Sequence, residues 1–253
     1  MLAASDTLAM PSDGTRSGRG EDAEIRNLIL DHAEAYIRRI GRKKTNVADI
    51  ADNLEMSRAN IYRFFPTRAA IDHCVFARLT DDTLSAITHI ADSPDTAPAR
   101  LVTILQVLHR RVREDLIHAP NIHALYVAAY LDNWTVTHLY LQRLTAILAK
   151  VLCEMNVSSK LSIDGSAETA RAVIDAMNPF LHPLLVELRL KNQNDVDIEL
   201  RGQIAFVLSA LGVREASSVK NKLVANRPAT HHEPSKLTTQ GDVSFRGEKW
   251  LAP

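Results

Sequence analysis

Arg58 and Asn60 lie two residues apart in the segment Thr45-Asn-Val-Ala-Asp-Ile-Ala-Asp-Asn-Leu-Glu-Met-Ser-Arg-Ala-Asn-Ile-Tyr62. Both side-chain types read base edges: a guanidinium forks onto the O6 and N7 of guanine, and a carboxamide onto the N6 and N7 of adenine. These two are the candidate base-reading residues. Basic residues crowd the same region. From Tyr36 to Arg68 the chain carries Arg38, Arg39, Arg42, Lys43, Lys44, Arg58, Arg63 and Arg68 against Asp49, Asp52 and Glu55, a local excess of five positive charges. The whole chain sums to a net charge of zero. A basic module balanced by a more acidic remainder suits a protein that meets phosphates with one end only.

Base edges in the major groove are reached by a helix-turn-helix: a first helix that packs, a tight turn, and a second helix with an exposed face. The segment supplies each part. Val47, Ile50, Ala51 and Leu54 form an inward stripe on the first helix, Met56 plugs the corner, and Ile61 and Phe65 turn inward from the second. Thr45 is expected to cap the first helix and Ser57 the second, satisfying amides that lack partners at a helix start. Ala59 is small where two helices are expected to cross closely. Arg58, Asn60, Tyr62 and Arg63 are left for DNA, with Arg63 serving either DNA or solvent. Arg42, Lys43 and Lys44 fit either nonspecific phosphate attraction or a solvated loop.

Over its 253 residues the chain is 46% hydrophobic and 24% charged, an ordinary globular composition. Nine glycines and ten prolines are few enough to leave long uninterrupted stretches, which favour helix throughout. No secretory leader or membrane-spanning run is evident, so a cytoplasmic protein with reduced Cys74 and Cys153 is expected. Residues 1–20 read as a disordered arm, within which Arg16 and Arg19 fit a minor-groove reach less well than a plain tail. A first helix is expected over 22–40, stopped by Gly41. Short helices follow over 47–54 and 58–64, then a longer one over 68–90. The run Ala91-Asp-Ser-Pro94-Asp-Thr-Ala-Pro98 marks a break. Further helices are expected over 99–118, 122–130, 132–155, from the loop 156–165 to 191, and over 196–211. The fold class is all-α: a helix-turn-helix domain over 21–75, a larger helical domain over 76–212 and a tail over 213–253.

Gly41, Thr45, Ile50-Ala51, Met56-Ser57, Ile61-Tyr62, Phe65 and Arg68 together resemble the DNA-binding domain of the TetR family. The Phe65-Pro-Thr-Arg68 stretch is similar to that family's Phe-x-Ser/Asn-Lys junction into a fourth helix. By resemblance, Thr45, Tyr62 and Arg68 fall on positions that touch phosphate. Two positions depart from the pattern. The family's Ala-Gly-Val turn is Leu54-Glu55-Met56 here, so Glu55 replaces a glycine at a site expected to be left-handed, at a cost of roughly 1–2 kcal/mol. Arg68 replaces a lysine and keeps its charge. The stretch around His182-Pro183-Leu-Leu also resembles the AmeR-like branch.

The resemblance implies a homodimer on a palindromic stretch of double-stranded DNA. It further implies a small hydrophobic or amphipathic effector held among the central helices. Apolar stretches at 170–190 and 198–211 fit a four-helix bundle across a two-fold axis. Pro179 and Pro183 are expected to kink or interrupt their helix, opening space near a pocket or shaping the interface. Candidate pocket residues are Leu105, Leu108, Tyr126, Tyr130, Trp134, His138, Phe180 and His182. His109, His118, His123 and His138 lack metal-ligand spacing, so neither a metal nor a cofactor is expected. No nucleophile elbow or phosphate loop is present, so an enzyme with an incidental helical pair is the weaker alternative. Another alternative keeps the DNA-binding architecture but answers to a protein partner instead of a ligand.

Overall fold

The computed structural model describes residues 14–158, 167–192 and 196–213, with side chains described from residue 20 onward and up to 155 in the first of these. Among the described residues the chain is all-helical, with no strand. Its elements are α1 (Gly14–Ile40), α2 (Val47–Asn53), α3 (Arg58–Phe64), α4 (Arg68–Ala91) and α5 (Ala97–His118). They continue with α6 (Pro120–Leu131), α7 (Thr135–Ser158), α8 (Ala167–Leu181), α9 (Pro183–Lys191) and α10 (Val196–Ala210). The expected disordered arm is therefore helical from Gly14 onward. Gly20 to Glu24 are all exposed, so this first stretch buries no apolar period by which it could be recognised. The loop expected over 156–165 is helical up to Ser158; its remaining residues, the side chains of Arg16 and Arg19 and the expected tail beyond 213 lie outside the described residues.

Two cores hold the molecule. The first joins Ile29, Ala33 and Ile37 of α1, spaced four apart on one helical face, to Ile50, Ile61, Phe65, Ile71, Val75 and Phe76. Leu28, next to that face, is 46% exposed. The same core takes in Ile122, Leu125 and Ala129 of α6 and Trp134 beyond it, so it reaches past the expected boundary at 75. The second core is built from the far half of α4 with α5, α7, α8 and α10. α4 runs unbroken through both cores.

Three prolines begin helices. Pro98, Pro120 and Pro183 each sit in the first turn of α5, α6 and α9, where a missing amide proton costs no hydrogen bond. This moves the start of α5 to Ala97 and of α6 to Pro120, earlier than expected. Pro183 splits the single helix expected up to 191 into α8 and α9. Pro179 is accommodated inside α8, which ends two residues later. Asn133, left-handed at φ 52°, delays α7 to Thr135.

Candidate nucleic-acid interface and the adjoining cavity

The exposed face of α3 is set by its anchors. Ile61 and Phe65 are 0% and 1% exposed, and Phe64 is buried beside them. Ser57 caps the helix, its hydroxyl accepting from the Asn60 amide at 3.1 Å. At the other end, the Arg26 guanidinium donates to the Phe64 carbonyl at 2.6 Å and lies 4.5 Å from the Phe65 ring centroid. This clamp from α1 was not foreseen, because the 38-residue separation leaves no local pattern. With α3 pinned at both ends, Arg58, Ala59, Tyr62 and Arg63 are exposed and Asn60 is half-buried. Ala59 faces solvent and marks no helix crossing. Arg58 and Asn60 offer side chains bonded to no described residue. Arg63 pairs with Asp22 at 3.3 Å and covers the Phe64 ring.

The turn between α2 and α3 takes the expected left-handed step, with Glu55 at φ 53°. The Met56 amide reaches back to the Ala51 carbonyl at 2.9 Å and closes the corner. Asn46 stands at the N-cap of α2, where Thr45 was expected. The Asp49 carboxylate accepts from the Asn46 amide at 3.3 Å. Thr45 is turned inward, 3% exposed, and its hydroxyl donates to the Gly41 carbonyl at 3.0 Å.

Arg68 is similarly committed. Its guanidinium donates to the Thr45 carbonyl at 3.1 Å, to the Arg42 carbonyl at 3.3 Å and to the buried Asp72 carboxylate. Arg42 also approaches Asp72, at 3.6 Å, and its guanidinium carbon lies 5.4 Å from the Trp134 ring centroid. Of the basic residues in the loop before α2, Lys43 and Lys44 stay exposed.

A cavity of about 250 Å³ opens among α4 to α9. Of the eight candidate pocket residues, Leu108, Tyr126, Tyr130 and His182 line it. The other four candidates lie elsewhere. Leu105 is fully buried in the second core. Trp134 belongs to the first core, 4.4 Å from the His73 ring. His138 is exposed, and Phe180 packs in the second core between His109 and Arg189. Thr80, Thr83, Arg111, Asp115, Tyr140 and Asn178 also line the cavity, and sequence reasoning did not find them. The helix break at Pro183 borders this space, since Leu181, His182 and Pro183 are all part of the wall.

Burial governs ionisation along that wall. It raises the phenols of Tyr126 and Tyr130 and pushes Tyr140 up to about 12. It also raises the Asp115 carboxyl and lowers the His182 imidazole. His123 holds Glu187 of α9 at 3.2 Å, and Glu187 in turn holds Lys191 at 2.6 Å. His109 is occupied in the core, its Nδ1 2.8 Å from the Phe180 carbonyl, while His118 is exposed.

Residues 97–199 match the family model described as tetracyclin repressor-like, C-terminal domain. The match does not single out the AmeR-like branch. No curated protein matches the chain. Among solved structures, the crystal structure of Mycobacterium smegmatis AmtR is similar at a TM-score of 0.41 and 18% identity, over 80% of this chain and 95% of that one. That likeness is too loose to support a functional argument. No helix among the described residues is long and apolar enough to cross a membrane. A helix-turn-helix, α2 and α3, stands ahead of the domain that is similar to the C-terminal domain of tetracyclin repressor-like proteins.

Proposed function

We propose that the protein is a cytoplasmic homodimeric repressor that places one α3 helix in the major groove of each half of a near-palindromic operator. The observation that carries this reading is the exposed face of α3, with Arg58 and Asn60 uncommitted above a fully buried Ile61. Arg58 and Asn60 read bases. Tyr62, Lys43 and Lys44 contact phosphate, and Arg63 joins them once it leaves Asp22. Thr45 and Arg68 hold the loop that carries the lysines and do not themselves touch DNA. The two recognition helices stand about one DNA turn apart, roughly 34–36 Å.

Dimerisation through α10, with α8 beside it, is supported by an apolar strip left open on one face of α10. Ile198 and Phe206 are 58% and 64% exposed, and Ala205 is exposed between them. Gly202 shares the strip, and nothing lies within 4 Å of where its Cβ would be. A two-fold axis along this strip would bury it in a four-helix bundle. The cavity supports control by a small molecule over control by a protein partner, because a filled central domain would offer no such space. A ligand releases DNA only if it prefers the non-binding geometry; equal affinity for both states shifts nothing.

The test is selection of bound sequences from random DNA by the wild type, followed by anisotropy titration of Arg58→Ala/Asn60→Ala. Affinity for the selected site is expected to drop at least a hundredfold while circular dichroism and melting temperature hold. Retained preference for that site would overturn the assignment of α3 as the reading helix.

A further inference from the structure

Three tyrosines from two helices face the cavity: Tyr126 and Tyr130 of α6 and Tyr140 of α7. None of their hydroxyls is hydrogen-bonded to a described residue. Open to the cavity, these hydroxyls are free to exchange water for a ligand. The rings are close enough that the Tyr126 phenol senses both of the others. His182 adds a fourth unmet group: its Nδ1 is buried without a partner while its ring packs edge-on against Tyr130 at 4.7 Å. The threonine hydroxyls of the wall are already spent on their own helix, Thr80 on the Phe76 carbonyl and Thr83 on the Leu79 carbonyl.

We propose that the cavity recognises an uncharged mono- or bicyclic molecule carrying at least two oxygen acceptors, of the aryl ketone or lactone class, hydrogen-bonded by Tyr126, Tyr130 and Tyr140. This rests on the reading of the cavity as the effector site and adds the chemistry of its ligand. Size follows from the volume: a cavity of about 150 Å³ holds a benzene ring, so about 250 Å³ admits one or two fused rings. Donor polarity follows from the phenols, which are protonated at neutral pH, so that each has a proton to give. Charge neutrality follows from the wall. The wall carries both signs, Arg111 against Asp115 one helical turn along α5 and Asp175 on α8. A net charge on the ligand would meet one of them unfavourably.

The inference is tested by calorimetric titration of the full-length protein with coumarin, naphthalene, 2-naphthoate and 2-naphthylmethylamine. These four share ring size and differ in acceptors and charge. Coumarin is expected to bind at least tenfold tighter than any of the others. Tyr126→Phe, Tyr130→Phe and Tyr140→Phe each keep the ring and are expected to weaken coumarin about three- to tenfold, leaving naphthalene unchanged. Tighter binding of naphthalene or of either ion, no measurable binding of coumarin, or indifference to all three Phe variants would overturn the proposal. DNA release is measured separately with the same coumarin. Binding without release would sink the regulatory reading and leave the ligand chemistry standing.

Discussion

At Glu55 the backbone sits at φ 53°, a region that costs a residue with a Cβ roughly 1–2 kcal/mol and glycine little. Glu55→Gly is therefore expected to raise stability by about 1 kcal/mol, a melting shift of a few degrees, with DNA affinity unaltered because Glu55 lies outside the α3 face. A lower melting temperature would show that the glutamate side chain stabilises the turn in some other way. His109 sets a pH dependence of opposite origin. Burial lowers its imidazole below the ordinary 6.5, and the orphaned Nε2 has no acceptor for a second proton. Below about 6.5 the unfolded chain binds a proton that the folded chain refuses, so His109 lowers stability as pH falls. Thermal melts at pH 7.5 and 5.5 are expected to show a smaller drop for His109→Gln than for the wild type. An equal drop would assign the acid sensitivity elsewhere.

Among the elements, the junction from the α2 loop into α4 makes the sharpest prediction. Arg68 bonds two carbonyls and the buried Asp72 within the protein. Removing one partner of a buried pair leaves the other uncompensated, so Arg68→Ala is expected to cost roughly 2–4 kcal/mol. The slope of log affinity against log salt is expected to stay unchanged. Lys43→Ala and Lys44→Ala should behave in reverse, keeping stability and flattening that slope by about one unit each. A flatter slope for Arg68→Ala would return this residue to the phosphate contacts. The bounds of α2, α3 and α4 were readable because their signals are local: Gly41 ends one helix, Ser57 caps the next, and apolar side chains recur at helical spacing. The face of α6 was not readable. It is apolar on several sides because it packs into the first core while its tyrosines line the cavity. Spacing along a helix shows which residues share a side but not what that side meets, so Leu105, Trp134 and Phe180 lie in the cores and His138 faces solvent. Arg111 and Asp115 escaped notice for the same reason.

For the molecule as a whole, the interface proposed on α10 would tie assembly to DNA binding. Phe206→Glu places a charge at the centre of the proposed interface, and sedimentation is expected to show a monomer with an intact fold. Such a monomer engages one half-site, so affinity for the full operator should fall at least a hundredfold. A dimer that persists would move the interface to another face.

α6 also affects how this protein can be divided. Ile122, Leu125 and Ala129 complete the core of the helix-turn-helix head, although they follow its Phe76 by about 46 to 53 residues. Near the same seam, Asn121 donates to the Arg38 carbonyl at 3.0 Å, and its Oδ1 lies 3.0 Å from the place a Cβ on Gly41 would occupy. A head excised after α4 would expose an apolar cleft where α6 belongs and would tend to aggregate. Grafting this specificity onto another regulator therefore means transplanting α6 together with α1 to α4, and with it two of the three cavity tyrosines.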